Sequence, residues 1–221
     1  MTDLSTLYET RFEQTGLDKR RAVWRVLCDR FFSKYVPADA AVLDIACGYG
    51  EFITQIRAGS KAAIDMNPDA GRRLGPEIRF VHGSATDLSA FADGSIDVAF
   101  TSNFLEHLRS KEECENLFRQ VLRLLAPGGR FIVMGPNIRF AYREYWDFFD
   151  HHLPLSDRSL AEGLSASGFE MERVIDRFLP FTMANKTPTA DFLIRLYLAF
   201  PLAWKIMGKQ FLIVARKPAA P

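Results

Sequence analysis

Short apolar runs alternate along this chain with longer segments whose apolar positions recur every three or four residues. VLDIA (42–46), AAI (62–64), IRFVH (78–82), IDVAFT (96–101) and RFIVM (130–134) have strand length, are separated by turn residues, and read as buried strands. Val23, Val26, Leu27, Phe31 and Tyr35 keep helical spacing across 18–35, with Asp18 as a candidate N-cap and Pro37 beyond the end. From Lys111 to Leu125, the positions Cys114, Leu117, Phe118, Val121, Leu122 and Leu125 share one face, and Pro127-Gly128-Gly129 stops the run. Ser156 reads as the N-cap of a helix that carries Leu160 and Leu164 and ends at Gly168. A strand near 169–178 follows, and QFLIVAR (210–216) is the last.

Strands that alternate with helices demand a parallel sheet, because each crossover has to return to the edge from which the previous strand started. The last two strands lack a helix-length crossover with a polar face between them, so they are expected to pair antiparallel. The predicted fold is therefore α/β: a doubly wound, seven-stranded, mostly parallel sheet with an antiparallel last strand. A helical cap at 1–37 precedes the main domain at 38–221, which carries an apolar insertion at about 182–208.

Composition changes this picture little. A chain of 221 residues, 48% hydrophobic, suits one domain with a sizeable core, and a net charge of +1 advertises neither nucleic acid nor a membrane overall. Cys28, Cys47 and Cys114 form neither a zinc pattern nor a disulfide framework, which points to a reducing compartment. MTDLSTLYETRFEQTG lacks the basic start and apolar core of a secretory signal, so the cytoplasm is the expected location. Charge is nonetheless uneven: Lys186 to Lys217 holds six basic residues and one acid. Inside that region DFLIRLYLAFPLAWKIM (191–207) is apolar at 13 of 17 positions, too short and too charged to span a bilayer. A lid, a dimer face or a peripheral contact with an anionic membrane remain open for it.

The chemistry concentrates where AVLDIACGYGEF (41–52) turns from strand to helix, since ligands of open parallel sheets bind beyond the carboxyl ends of the strands. Gly48 and Gly50 permit close backbone approach, but Ile53 stands where a dinucleotide-binding turn would place its third glycine. Asp44 beside the turn suits a cationic ligand rather than a phosphate. Asp65, at the end of the second strand, can accept both hydroxyls of a ribose. Together these features describe a nucleoside bearing positive charge and disfavour a nicotinamide cofactor.

LDIACGYG (43–50), IDMNP (64–68), SIDVAFTSNFLEHL (95–108), LLAPGGRFIV (124–133) and SASGFE (165–170) resemble, in order, the class I S-adenosylmethionine-dependent methyltransferases. That resemblance implies S-adenosyl-L-methionine as cofactor. Gly48 and Gly50 would lie under its methionine part with Ala46 nearby, Asp44 would orient it, Asp65 would hold the ribose and Met66 would flank the adenine. It also brings Ser84, Ala85 and Asn103 to the cofactor. Where many relatives carry an acid after the glycine of the third strand, this chain has Ser84, and Asp87 is the candidate substitute. SNFLEHL, YWDFFDH, PLSDRSL, RFLP and GKQFLIVARKP resemble bacterial methyltransferases of surface-polysaccharide or lipid-linked glycan pathways, which implies a small-molecule or glycan hydroxyl, lipid-linked in some cases, as acceptor.

Methyl transfer from a sulfonium is an in-line displacement, and a hydroxyl acceptor has to lose a proton. His151 is the first candidate base, with Asp150 beside it as a candidate orienting group, and His107 is the second; His82 reads as structural or as lying near the adenine edge. Asn137 is a candidate for bonding an acceptor hydroxyl. Tyr145 and Trp146 are candidate acceptor walls, whereas Phe148 and Phe149 read as core. Thr101-Ser102-Asn103-Phe104 stands where amino-directed nucleic-acid methyltransferases carry Asn/Asp-Pro-Pro-aromatic, so no nucleic acid is expected as partner. No histidine and acid pattern has metal-ligand spacing, and no metal is expected. A non-catalytic cofactor-binding protein is the competing reading, and monomer and homodimer stay open.

Overall fold

The computed structural model describes residues 14–181 and 190–219. Seven strands form one sheet in the order β3-β2-β1-β4-β5-β7-β6. They are β1 (Ala41–Ile45), β2 (Ser60–Asp65), β3 (Ile78–His82), β4 (Ile96–Ser102), β5 (Leu125–Pro136), β6 (Glu170–Ile175) and β7 (Gln210–Arg216). The first five run parallel, and β7 is antiparallel to both β5 and β6. The expected α/β sheet with its reversed last strand is therefore present.

Side chains alternate across this sheet with period two, as both faces are covered. Val42, Val98, Phe100, Ile132, Met134, Leu212 and Val214 point to one layer; Leu43, Ile45, Ala99, Phe131, Val133, Ile213 and Ala215 point to the other. The first layer is closed by α1 (Gln14–Arg30) and α2 (Glu51–Gln55), and rings dominate it. Phe52 stacks on Phe100 at 3.7 Å between centroids, while Trp24 and Phe32 meet Phe100 edge-on at 5.9 and 5.4 Å. The second layer is closed by α4 (Lys111–Leu124) and α6 (Asp157–Ala166), joined by Leu88 and Phe91 from the β3–β4 connection. The remaining helices are α3 (Pro68–Arg73), α5 (Ile138–Tyr145), α7 (Asp191–Ala199) and α8 (Pro201–Met207).

Local chemistry explains several boundaries. Ser110 caps α4 through Glu113 N, and Ser156 forms a reciprocal capping box with Ser159 at the start of α6, as expected. Gly168 follows α6 with φ +99°, a conformation that favours glycine. Three expectations are corrected. Helix α1 already includes residue 14, so Asp18 lies inside it rather than capping it, and the helix ends at Arg30 before a short 3-10 turn at Phe32–Lys34. The strand read as RFIVM extends over Leu125–Pro136: Leu125 pairs with Ile96 and pairing resumes between Arg130 and Val98, so Pro127-Gly128-Gly129 occupies the register irregularity between them. The β6–β7 connection does contain helices, α7 and α8, yet the strands still pair antiparallel. Part of the predicted N-terminal cap (1–13) and of the predicted insertion (182–189) lies outside the described residues.

Phe100 sits at the centre of the ring cluster. Phe100→Ala is expected to cost about 3–5 kcal/mol, the range for aromatic truncation in a core, read as a lowered urea midpoint at unchanged denaturant slope.

Candidate active site

The carboxyl ends of β1, β2, β4 and β5 share one edge of the sheet, and the candidate residues divide there into a cradle and a cluster of ionisable groups. The cradle begins where β1 leaves the sheet. Ala46, Gly48 and Gly50 all have positive φ, at +56°, +56° and +75°, and Gly50 caps α2. Cys47 N donates to Ile64 O at 3.2 Å and Gly50 N to Cys47 O at 2.8 Å, which holds the turn against β2. A Cβ at Gly50 would run into Leu74 Cδ2, whereas one at Gly48 would meet no protein atom within 4 Å. The backbone at Gly48 thus borders open space.

Asp65 closes this turn from β2. Its Oδ2 accepts from Gly48 N and its Oδ1 from Asn67 N, each at 2.8 Å, and the Met66 amide also donates to this carboxylate. Burial raises its pKa despite those hydrogen bonds. Met66, the next residue, is exposed, and its carbonyl lies 3.0 Å from His82 Nε2. Asp44 is buried on the α1–α2 side of β1; desolvation first, then the charges of Glu51 and Asp65, holds its pKa well above the carboxylate range, opposed by the Ile53 amide. Glu51 at the start of α2 is paired with Arg20 of α1.

These residues fit S-adenosyl-L-methionine. The open face over Gly48 admits a ligand against bare backbone, Asp65 sets a carboxylate acceptor beside it, Met66 offers an exposed apolar flank and the acids suit positive charge. The remaining candidates lie around the same edge. Ser84 and Ala85 follow β3, with Ser84 Oγ bonded to Thr86 Oγ1 at 2.8 Å. Asp87 is exposed and accepts from Ser89 N at 3.0 Å, so its carboxylate caps a turn. Asn103 follows β4 with φ +50°, exposed, its N–H donated to Met134 O at 2.9 Å.

The second group surrounds the short turn Leu105–His107 after β4. His107 Nδ1 lies 3.0 Å from Asp150 O and 3.3 Å from Asp150 Oδ2. The His107 and His151 rings meet edge-on at 5.1 Å, and His151 stacks on Phe148 at 4.8 Å with Tyr145 at 4.7 Å and Phe181 at 6.4 Å. Glu106, which the sequence reading left without a role, is buried beside them, and its carbonyl accepts from His152 N and Leu153 N at 2.8 and 3.1 Å. Desolvation, with a smaller contribution from Asp150, pushes its carboxyl up to about 8. Glu106, His107 and His151 each bring one ligand-capable atom within 4.8 Å of the other two, a juxtaposition that chain spacing alone does not disclose.

Asp150 contacts His107 through both its carbonyl and its carboxylate. Three assignments change. Asn137 has no exposed surface: its Nδ2 donates to Asp157 Oδ1 and Asp176 O at 2.8 Å each and its Oδ1 accepts from Arg139 N, so it caps α5 and cannot serve an acceptor. Tyr145 is buried against His151, its hydroxyl without a protein hydrogen-bond partner among the described residues, while Trp146 is exposed. Phe149, read as core, is 86% exposed.

Residues 43–133, from β1 into β5, match the family model described as a methyltransferase domain. Among curated proteins the chain is 29% identical over 157 residues to a demethylmenaquinone methyltransferase of Paenarthrobacter aurescens, covering 65% of this chain and 58% of that protein. It is 34% identical over 110 residues to a ubiquinone/menaquinone biosynthesis C-methyltransferase of Nitrobacter hamburgensis, covering 42% and 41%. The chain thus spans about half the length of the curated relatives it matches. Among solved structures it is similar to a SAM-dependent methyltransferase from Archaeoglobus fulgidus, with a TM-score of 0.67, 21% identity, and coverage of 97% of this chain and 100% of that one. The fold is the Rossmann-like methyltransferase fold.

Two outcomes test the geometry. Gly48→Ala is expected to cost roughly 1–2 kcal/mol from its left-handed backbone and to weaken S-adenosyl-L-methionine binding at least about tenfold, by calorimetric titration, because the added methyl enters the cradle. Glu106 supplies a pH dependence. Between its ordinary value of 4.5 and about 8 the folded chain keeps a proton that the unfolded chain has lost, so its contribution to stability falls as pH rises through that window. Glu106→Gln is expected to flatten the slope of unfolding free energy against pH over this range.

Proposed function

We propose that this chain transfers the methyl group of S-adenosyl-L-methionine to a hydroxyl of a small molecule or glycan. The observation that carries this reading is the His107–Asp150 pair beside His151 and Glu106, set on the same sheet edge as the Gly48–Asp65 cradle. When bound, the cofactor supplies an electrophilic methyl on a positively charged sulfur. Gly48 and Gly50 give it a backbone floor, and Asp65 fixes the ribose. His107 is held by Asp150 in the orientation of a general base, and His151 is held by the rings of Tyr145, Phe148 and Phe181. One of the two imidazoles takes the acceptor proton, which raises oxygen nucleophilicity at the moment of displacement. The apolar walls exclude water that would compete for the proton.

A second reading has an observation of its own. The name of the Nitrobacter hamburgensis relative favours transfer to carbon, and a hydroxylated ring would make the same use of a base, since ionising its hydroxyl activates the neighbouring carbon. Incubation with isotopically methyl-labelled cofactor and a panel of sugars, phenols and hydroquinones, followed by mass spectrometry and NMR of the product, separates oxygen from carbon. Tight cofactor binding with no turnover on a broad panel would favour the non-catalytic reading.

His107→Ala and His151→Ala are expected to differ from the parent in turnover and not in cofactor affinity. Loss of the acting base slows turnover by roughly 10²–10⁴-fold, and affinity stays within a few-fold. If a chelator abolishes turnover and a divalent ion restores it, the Glu106–His107–His151 group acts as a metal site and the base assignment falls.

A further inference from the structure

We propose that the helix pair α7–α8 docks the chain onto an anionic lipid surface. Of the exposed large hydrophobic residues among the described part of the chain, Phe192, Leu196, Phe200, Leu202, Ile206 and Met207 all fall within this one stretch. Phe192, Leu196 and Phe200 are spaced by four and form one stripe, and Leu202 and Ile206 repeat that spacing on the next helix. The exposures of Phe192 (67%), Leu202 (75%) and Ile206 (77%) exceed what a satellite of the core would show.

The orientation is fixed by the opposite faces. Ile194 and Trp204 are buried in the same core layer as α1 and the sheet. Trp204 Nε1 donates to Tyr197 O and Tyr197 Oη to Phe178 O, each at 2.7 Å, and Arg25 of α1 pairs with Asp191 at 3.0 Å. Both outer stripes therefore point away from the protein body. Pro201 breaks the pair into two short helices, and no helix among the described residues is long and apolar enough to cross a membrane. The pair can lie on a bilayer but cannot span it.

Charge selects the occupant. Arg195 and Lys205 are exposed on the two helices, and Asp191, the single acid from 191 to 207, is taken by Arg25. A stripe of large apolar side chains with cations and no free carboxylate is complementary to phosphate headgroups over acyl chains. A second copy would bring only cations and no free carboxylate to the contact, and so supplies no complementary charge. The pair also borders the candidate site. Phe181, where the β6–β7 connection leaves the described strand end, packs on Phe148 and near His151, and Lys209, just after α8, pairs with Glu144 of α5. A chain docked this way holds its acceptor edge close to the lipid surface.

Vesicle flotation of the full chain reads this without turnover, so its outcome is independent of the proposed reaction. Vesicles of phosphatidylcholine with phosphatidylglycerol are expected to carry the protein up the gradient, with binding that falls as salt rises, and pure phosphatidylcholine to carry at least tenfold less. Phe200→Ser/Leu202→Ser/Ile206→Ser should lose binding at least tenfold. Arg195→Gln and Lys205→Gln should each lose about fivefold on the anionic vesicles alone. Retained S-adenosyl-L-methionine affinity and circular dichroism show that the variants fold. Failure to float with anionic vesicles overturns the proposal, as does a dimer in light scattering that the triple variant dissolves.

Discussion

The hydrogen bond from Gly48 N to Asp65 Oδ2 is the constraint on which the site depends. It joins the turn after β1 to the end of β2, and it exists only because the parallel register brings Ile45 beside Ile64, so that both strands end at the same height. Three left-handed residues in five would leave the turn free to collapse onto the sheet. The carboxylate prevents this by taking up a backbone donor that would otherwise be exposed, while the Asn67 amide fixes the same carboxylate from the other side. The cradle is thereby preorganised by the group assigned to grip the ribose, and less ordering has to be done when a ligand arrives.

Such preorganisation has an electrostatic cost. Asp44, Asp65 and Glu106 are all buried, and in each case desolvation dominates and raises the pKa. Arg20, paired with Glu51, brings one cation to the acids near β1. Asp44 and Asp65 are carried inward by the buried carboxyl-terminal halves of β1 and β2, and Glu106 by the 3-10 turn Leu105–His107. Positive charge on a ligand would relieve the acids nearest the cradle, so ligand binding and stability are linked in the same direction.

Strands were the most legible part of the fold, since most lie where the sheet is covered on both faces and read as apolar runs; IRFVH, read as buried, is instead an edge strand with only Ile78 buried. IRFVH and QFLIVAR coincide with β3 and β7. Helices α7 and α8 were not legible: apolar residues on nearly all sides hide any stripe, and only the burial of Ile194 and Trp204 reveals which face is inward. The cradle residues could be located because glycine and strand-end acids mark backbone needs directly. The acceptor side could not, because there the decisive facts are directions. Asp150 is adjacent to His151 in sequence yet reaches His107, 43 residues away. Asn137 looked available at a strand end, but an amide after a strand and before a helix serves equally well as a cap, and the buried Asp157 claims its donor. Glu106 sits between Leu105 and His107 in a 3-10 turn, so the helical periodicity that would have turned it outward does not apply.

Topology also explains why the apolar helices lie where they do. β7 is antiparallel to both β5 and β6, so β6 runs in the direction of β5, ends at the edge that carries the candidate site, and β7 starts there. Any insertion between β6 and β7 has to emerge at that edge, with no freedom to do otherwise. The pairing of Pro136 with Gln210 and the bond from Asn137 N to Lys209 O at 2.9 Å bring the end of the insertion to the end of β5, one helix away from His151. An enzyme of this architecture can therefore change what it presents its acceptor to, solvent, lid or lipid, by altering one connection, while the cradle on the far strands keeps the same geometry. The apolar and basic composition of 191–207 can then vary without altering the register of β1 and β2 that sets Gly48 against Asp65.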